Sequence, residues 1–260
     1  MSNLGDHSES RPGTQAVERA IAIIECFRVD ARPLGITEIA KAVGLNISTA
    51  HRLMRALVSA GFMEQDPITE RYRLGIEIAI LGQRALEQSG YHLAKPTLTH
   101  LCERTGESVS LGVRRNNDVV VVLQALSPQP LRFDHPSGAE LQMHASGMGK
   151  VMLAFGDAAP EVAAAQLPNL PRFTDHTICD RSALAYELAT IRARGYATNH
   201  EERYLGVNGV AAPVLSHDGY VRAAVGVQGP SLRMTPERIE EIAPLVRAAA
   251  DEIAALAVRL

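Results

Sequence analysis

The chain lacks any long apolar run. Nowhere in its 260 residues does a stretch approach the roughly 20 apolar residues a helix needs to cross a bilayer, which argues against a membrane protein. An apolar signal region is also missing. The opening MSNLGDHSESRPG is polar, so export is not expected. Cysteine is scarce: Cys26, Cys102 and Cys179 are odd in number and far apart. That excludes a disulfide framework and any Cys-x-x-Cys pair, and it suits a reducing cytoplasm. No excess of either charge is present. The net charge is −3, with 10 Lys/Arg against 11 Asp/Glu in residues 1–90 and 16 against 18 in residues 91–260. A chain so balanced has no basic blanket for nucleic acid. DNA binding would need a local patch and more than one copy of the chain.

What is there reads as a globular protein: 46% apolar and 21% charged residues, in a length that allows one large domain or two ordinary ones. The organising stretch is Leu34 to Phe62, LGITEIAKAVGLNISTAHRLMRALVSAGF. Ile36, Ile39, Ala40 and Val43 fall on one face of a first helix, with Thr37 placed to cap it. Gly44 stands where the chain must turn left-handed. Asn46 caps a second helix that buries Ala50, Leu53, Met54 and Leu57 and exposes Ser48, Thr49, His51, Arg52 and Arg55. This is a helix-turn-helix pattern. From Ala40 to Met63 there is no acidic residue, while Lys41, Arg52 and Arg55 give a local charge of +3. Such a face attracts phosphates, and Arg52 has the geometry to read a guanine edge or to pair with a phosphate. FMEQDPITERYRLG then reads as strand, turn, strand: a wing, with Arg71 and Arg73 on its returning side.

Along the rest of the chain, residues 1–13 have a disordered composition. Thr14 opens an amphipathic helix whose apolar face is Val17, Ala20, Ile21, Ile24 and Phe27, and Arg19 projects from its first turns toward a possible phosphate. Residues 14–75 thus form a winged helix-turn-helix domain. Residues 76–90 form a linker helix, part of whose apolar face is expected to pack on a partner chain. Residues 91–260 form an α+β domain. In it, helices are expected over Tyr91–Thr105, Met143–Phe155, Pro160–Leu167, Ala183–Arg194 and from Thr235 onward. Strands are expected in SVSLGVRR, VVVVLQAL, Leu131–Asp134, Tyr196–Asn199, Gly209–Leu215 and Val221–Val227.

Enzymatic and metal readings are weaker. His144, His176, His200 and His217 show no i, i+4 pair, and His176 with Cys179 lacks a second ligand pair, so no metal or other cofactor is expected. Ser146 and Lys150 have the spacing of a nucleophile and base, but capping and helix charge explain both, and no catalytic residue is assigned. The Gly-x-Gly-Lys run lacks the spacing and following Ser/Thr of a phosphate loop.

Three segments carry a family likeness: ITEIAKAVGLNISTAHRLMRALVSAGF with its wing, LQMHASGMGKVMLA, and GYATNHEERYLGVNGVAAPV followed by AAVGVQGP. From about Thr14 to its end the chain resembles the IclR family of bacterial transcription regulators. The resemblance implies a winged helix-turn-helix, a linker helix and a GAF-like effector domain. It also implies double-stranded promoter DNA and a small organic or aromatic acid as partners, a homodimer that often assembles to a tetramer, and repression as the commoner behaviour. By position it assigns the effector to Ser146, Gly147, Met148, Asn199, Gly209, Gly226 and Gln228. The chain has Asn199 where an Asp is usual, Gly209 where a Cys is usual, and Gly226 and Gln228 where small hydroxyl residues occur. A less acidic, roomier pocket is therefore expected, for a ligand larger than a two- or three-carbon acid, such as an aromatic carboxylate. The other class of function is a ligand-binding or catalytic module whose N-terminal helices only dimerise.

Overall fold

The computed structural model describes residues 14–28 and 32–257; the polar tail, residues 1–13, lies outside them. The chain divides into two compact units, Met1–Gln88 and Ser89–Leu260, and the helix read as a linker falls in the first.

The first unit runs α1 (Gln15–Glu25), α2 (Ile36–Ala42), α3 (Ile47–Ser59), β1 (Met63–Gln65), β2 (Tyr72–Leu74) and α4 (Ile76–Gln88). Ile23, Phe27, Leu34, Ile39, Met54, Met63 and Tyr72 pack into one small core, each contributing roughly 1.5–3 kcal/mol on full burial. Between α2 and α3, Gly44 adopts φ +65°, a conformation a side chain would strain, and Leu45 N–H returns to Ala40 O at 2.9 Å. β1 and β2 pair antiparallel, Met63 opposite Leu74, and Leu34 bridges to Tyr72 through two backbone bonds of 2.9 and 3.0 Å. The hairpin thereby continues onto the segment that enters α2.

Two sequence readings are corrected in this unit. Thr37 does not cap α2. The cap is Gly35, whose N–H donates to Glu38 Oε2 at 2.8 Å, and Thr37 sits inside the first turn, exposed. In α1 the buried residue is Ile23, while Val17 and Ile21 are 60% and 52% exposed. The helix is apolar around more than one face, and so small a core covers only one of them. Thr14 precedes α1 without a side-chain capping bond.

The second unit opens with a 3-10 turn, Tyr91–Ala94, leading into α5 (Lys95–Thr105). Six antiparallel strands follow: β3 (Ser108–Arg115), β4 (Asp118–Ala125), β5 (Glu140–Gln142), β6 (Ala197–His200), β7 (Val207–Leu215) and β8 (Val221–Pro230). Their order across the sheet is β5-β4-β3-β8-β7-β6. Between strands lie α6 (Gly147–Ala154), α7 (Pro160–Gln166) and α8 (Arg181–Arg194), and α9 (Pro236–Ala257) closes the chain. The period-two alternation of strands sorts the sheet's residues onto two cores. Val210, Ala212, Val214, Val225 and Val227 pack with α5 and α9. Ala211 and Ala224 lie on the other face with α6, α7 and α8. Those small residues let α6 approach the sheet closely.

No strand forms at Leu131–Asp134. The edge of β4 is taken instead by β5, Val119 facing Leu141. The alternation in LRFD imitates a strand, but Leu131 is 64% exposed and its carbonyl accepts from Arg233 Nη2 at 2.9 Å. The other expected elements form, with ends shifted by a few residues.

Candidate functional site

The first site is the outer face of α3. Asn46 Oδ1 accepts from Thr49 N–H at 2.8 Å and from Ser48 Oγ at 2.9 Å, which fixes the helix start. Residues 48, 51, 52 and 55 then share one side of the helix. Ser48, His51, Arg52 and Arg55 are all exposed. Among the described residues neither Arg52 nor Arg55 has a hydrogen-bond or ion-pair partner, so both guanidinium groups are available to an incoming phosphate or base.

The wing is arranged differently. Arg71 Nη1 donates to Pro33 O at 2.8 Å and pairs with Glu38 at 3.1 Å, and Arg73 pairs with Glu64 at 2.8 Å. The Gly35 N–H, followed by Arg32, holds the Glu38 carboxyl below the usual range, and Arg73 does the same for Glu64. Both wing arginines are thus engaged within the protein. Arg19 is half-buried on α1. Of the residues the sequence offers to DNA (Arg19, Thr37, Asn46, Ser48, Thr49, His51, Arg52, Arg55, Arg71 and Arg73), Ser48, Thr49, His51, Arg52 and Arg55 are brought onto or beside one helix face, Asn46 is engaged as the α3 cap, and Thr37 is exposed in the first turn of α2.

The second site is a narrow, partly open cleft at the start of α6. All seven residues assigned to the effector line it: Ser146, Gly147, Met148, Asn199, Gly209, Gly226 and Gln228. Ser146 caps α6, accepting from Gly149 N–H at 3.0 Å and donating to Gln142 O at 2.8 Å. Lys150 N–H returns to Ser146 O at 2.9 Å. The Gly147 and Met148 N–H groups remain at the positive end of the helix, an arrangement that favours an anion. Asn199 Nδ2 donates to Ala145 O at 2.8 Å, tying β6 to the same corner. The roomier pocket expected from Gly209 and Gly226 is not found, because Gln228 and Met148 already fill the space beside the two glycines. A Cβ on Gly209 would stand 2.9 Å from Gln228 Cγ, and one on Gly226 would stand 3.0 Å from Met148 Cγ.

Beneath the cleft lies a buried charge cluster. Lys150 is 1% exposed and donates to Glu202 Oε1 at 2.6 Å, with Glu187 at 3.6 Å and Arg194 pairing with Glu187 at 3.2 Å. Ser146 and Lys150 therefore point to different partners and do not form a nucleophile and base. Among the described residues no group of three His, Cys, Asp or Glu side chains is placed to hold a metal ion.

Among the cleft residues that sequence reading missed are His135, Arg203 and Tyr204. His135 Nε2–H donates to Gln228 Oε1 at 2.6 Å, and burial pulls its pKa from 6.5 to about 4, so the ring is neutral. Phe133, His135 and Tyr204 form an aromatic group with centroids 4.7 to 6.2 Å apart. Arg203 lies 4.8 Å from the Phe173 ring and 5.0 Å from the Tyr204 ring, and its Nη1 donates to Gln142 Oε1. Its Nε is buried with no hydrogen-bond partner, as is Asn208 Oδ1 in the same lining. The signal for Arg203 was its place in GYATNHEERYLGVNGVAAPV, between the assigned Asn199 and Gly209. For His135 there was none, since the loop that carries it is remote in sequence.

Known proteins match this arrangement along nearly the whole chain. A family profile described as the bacterial transcriptional regulator IclR C-terminal matches residues 87–255, and the IclR helix-turn-helix domain matches residues 16–67. The HTH-type transcriptional regulator BhcR of Paracoccus denitrificans is 35% identical, covering 95% of this chain and 88% of that one. The HTH-type transcriptional repressor AllR of Klebsiella pneumoniae is 31% identical, with 94% and 90% covered. The crystal structure of an IclR homolog complexed with 4-hydroxybenzoate, from Microbacterium hydrocarbonoxydans, superposes with a TM-score of 0.81 at 25% identity, covering 94% of this chain and 99% of that one.

Proposed function

The chain belongs to the IclR family of bacterial transcriptional regulators, and from that footing we propose that it is a repressor whose grip on promoter DNA is set by a small organic acid held in the α6 cleft. It is a regulator with a helix-turn-helix DNA-binding domain and a C-terminal effector-binding domain. The observation that carries the proposal is the pairing of two features in one chain: a cation-bearing face on α3 with no internal partner for Arg52 or Arg55, and a cleft whose helix end favours an anion. An aromatic carboxylate is the class of effector proposed, larger than a two- or three-carbon acid. The 4-hydroxybenzoate held by one solved relative supports that class.

The DNA-reading state is a dimer. Val17 and Ile21 on α1, with Ile76, Ile80 and Leu81 on α4, are exposed apolar residues of the first unit and supply its contact. Two recognition helices then enter successive major grooves roughly 34 Å apart. The effector acts by binding more tightly to one arrangement of the dimer than to the other. The protein works in the cytoplasm, on the nucleoid.

Fluorescence anisotropy on DNA from the gene's own upstream region, at two salt concentrations and with a panel of aliphatic and aromatic acids, tests this. Salt-sensitive, sequence-selective binding that an aromatic acid weakens is the expected result. Arg52→Ala should weaken operator binding by roughly 1–3 kcal/mol and leave acid binding intact. Unchanged DNA affinity in that variant would remove α3 as the reading helix. Binding of two- and three-carbon acids alone would remove the aromatic class.

A further inference from the structure

Arg203 is set in the wall of the cleft by a rigid corner of the chain. Glu201 holds φ +56°, and its N–H donates to Val207 O at 3.1 Å. The carbonyl of Glu201 accepts from Thr174 Oγ1 at 2.7 Å and that of Glu202 from Thr177 Oγ1 at 2.6 Å. The Glu202 side chain is anchored on Lys150 at 2.6 Å. Three neighbours therefore fix the backbone from which Arg203 projects. Its guanidinium then lies against two aromatic rings, which fixes the plane as well.

What Arg203 lacks is an anion. No carboxylate among the described residues is paired with it, and its Nε–H is buried without an acceptor. The side chain is half-buried, but a buried guanidinium N–H with no acceptor and no carboxylate in contact is a costly arrangement unless something brings the missing acceptor. Its charge is felt inside the cleft: after burial, Arg203 is a further cause that keeps both His135 and His144 neutral. Lysine would not serve in its place, because a guanidinium offers a planar fork that matches a carboxylate and stacks on rings.

We propose that Arg203 is the residue that recognises the charge of the effector, its Nε–H donating to a carboxylate oxygen of the bound acid. This rests on the acid-effector reading above. It goes further in naming a determinant that none of the seven assigned effector positions includes, and in requiring an acid and not a neutral isostere. The Gly147 and Met148 N–H groups also favour negative charge, but as neutral dipoles they tolerate an amide carbonyl. Arg203 supplies the full charge that separates acid from amide.

The test is calorimetry on the full-length protein with carboxylates, each paired with its own amide: benzoate and benzamide, 4-hydroxybenzoate and 4-hydroxybenzamide, pyruvate and pyruvamide, succinate and succinamide. The wild type should bind at least one acid and reject its amide. In Arg203→Gln the acid should weaken roughly 10- to 100-fold, the worth of a charge-assisted bond, and the preference for acid over amide should disappear. Arg203→Lys, which keeps charge but loses the fork, should fall between. Both variants lose the Gln142 bond or ring contacts and should melt slightly lower, so the readout is the ratio of acid to amide affinity, which a packing loss alone would not move. If the wild type binds acid and Arg203→Gln binds it equally well, this assignment falls while the effector reading stands. An amide bound as tightly as its acid by the wild type has the same meaning. A loss of folded stability in both variants, with acid and amide weakened alike, would make Arg203 a packing residue only. Should the wild type bind none of the acids, both readings fall together.

Discussion

On the outer face of α3, Arg52 and Arg55 stand in water without a partner, whereas in the C-terminal unit Lys150 is 1% exposed and lodged between Glu202 and Glu187. The two units use positive charge under different physics. A cation in water costs little to hold, and its attraction for phosphate is long in range and screened by salt. A cation out of water is costly to hold unless paired, and is then nearly indifferent to salt. The first suits a long polyanion met in solution. The second suits tying one part of a fold to another. Hence the α3 face should govern binding with little influence on folding, and the Lys150 cluster should govern folding first.

The most severe way to break this contrast is Lys150→Met. It leaves Glu202 buried without its cation and should cost about 3–5 kcal/mol in urea unfolding of the full chain. Removing Glu202 as well, as Lys150→Met with Glu202→Leu, should recover much of that. Arg55→Ala should move the same transition by no more than about 0.5 kcal/mol. Equal effects from the Lys150 and Arg55 variants would show that burial does not separate the two units.

Acid titration comes next. His135 titrates at about 4 in the folded chain against 6.5 for an ordinary histidine. Between those values the unfolded chain binds the extra proton, so stability rises with pH across the window. The contribution is complete above pH 6.5 and is lost as pH falls toward 4. Its size is up to about 3 kcal/mol. Burial shifts His144 and His200 in the same direction. His135→Asn should flatten the pH dependence of unfolding by close to one proton, and an unaltered slope would mean the ring is solvated. A smaller effect than at His135 is expected at Asn46→Ala, about 0.5–2 kcal/mol from loss of the α3 cap, with operator binding weakened by fraying of the reading helix. A variant that melts normally yet still binds DNA like the wild type would show that α3 needs no cap once docked.

The parts legible in the sequence were those set by local rules. Ile39, Ala40, Ala50 and Met54 follow helical spacing, Gly44 turns left-handed, and Asn46 accepts the bond its type predicts. The turn between the expected strands SVSLGVRR and VVVVLQAL is made by Asn116 at φ +56°, a conformation asparagine tolerates. Where local rules gave two answers, the tertiary structure chose. Gly35 with Glu38 took the cap that Thr37 could have made, and β5 took the sheet edge that Leu131–Asp134 could have filled. The floor of the cleft was visible because its segments are contiguous. Its far wall was not, because His135 meets Gln228 across 93 positions of sequence and Arg203 meets Gln142 across 61.

The wing's ties have a consequence for how a signal is carried. Leu34 and Tyr72 exchange backbone bonds, Arg71 reaches across to Pro33 and Glu38, and Gly75 N–H returns to Phe62 O at 2.8 Å. From Leu34 to Gly75 the reading head therefore has no internal joint. In the dimer proposed above, such a head would work like one jaw of a caliper: with its ends tied together, a message reaching it would be expressed as distance between jaws. An operator would then be accepted or refused by its spacing, with the letters read only once the gauge is set.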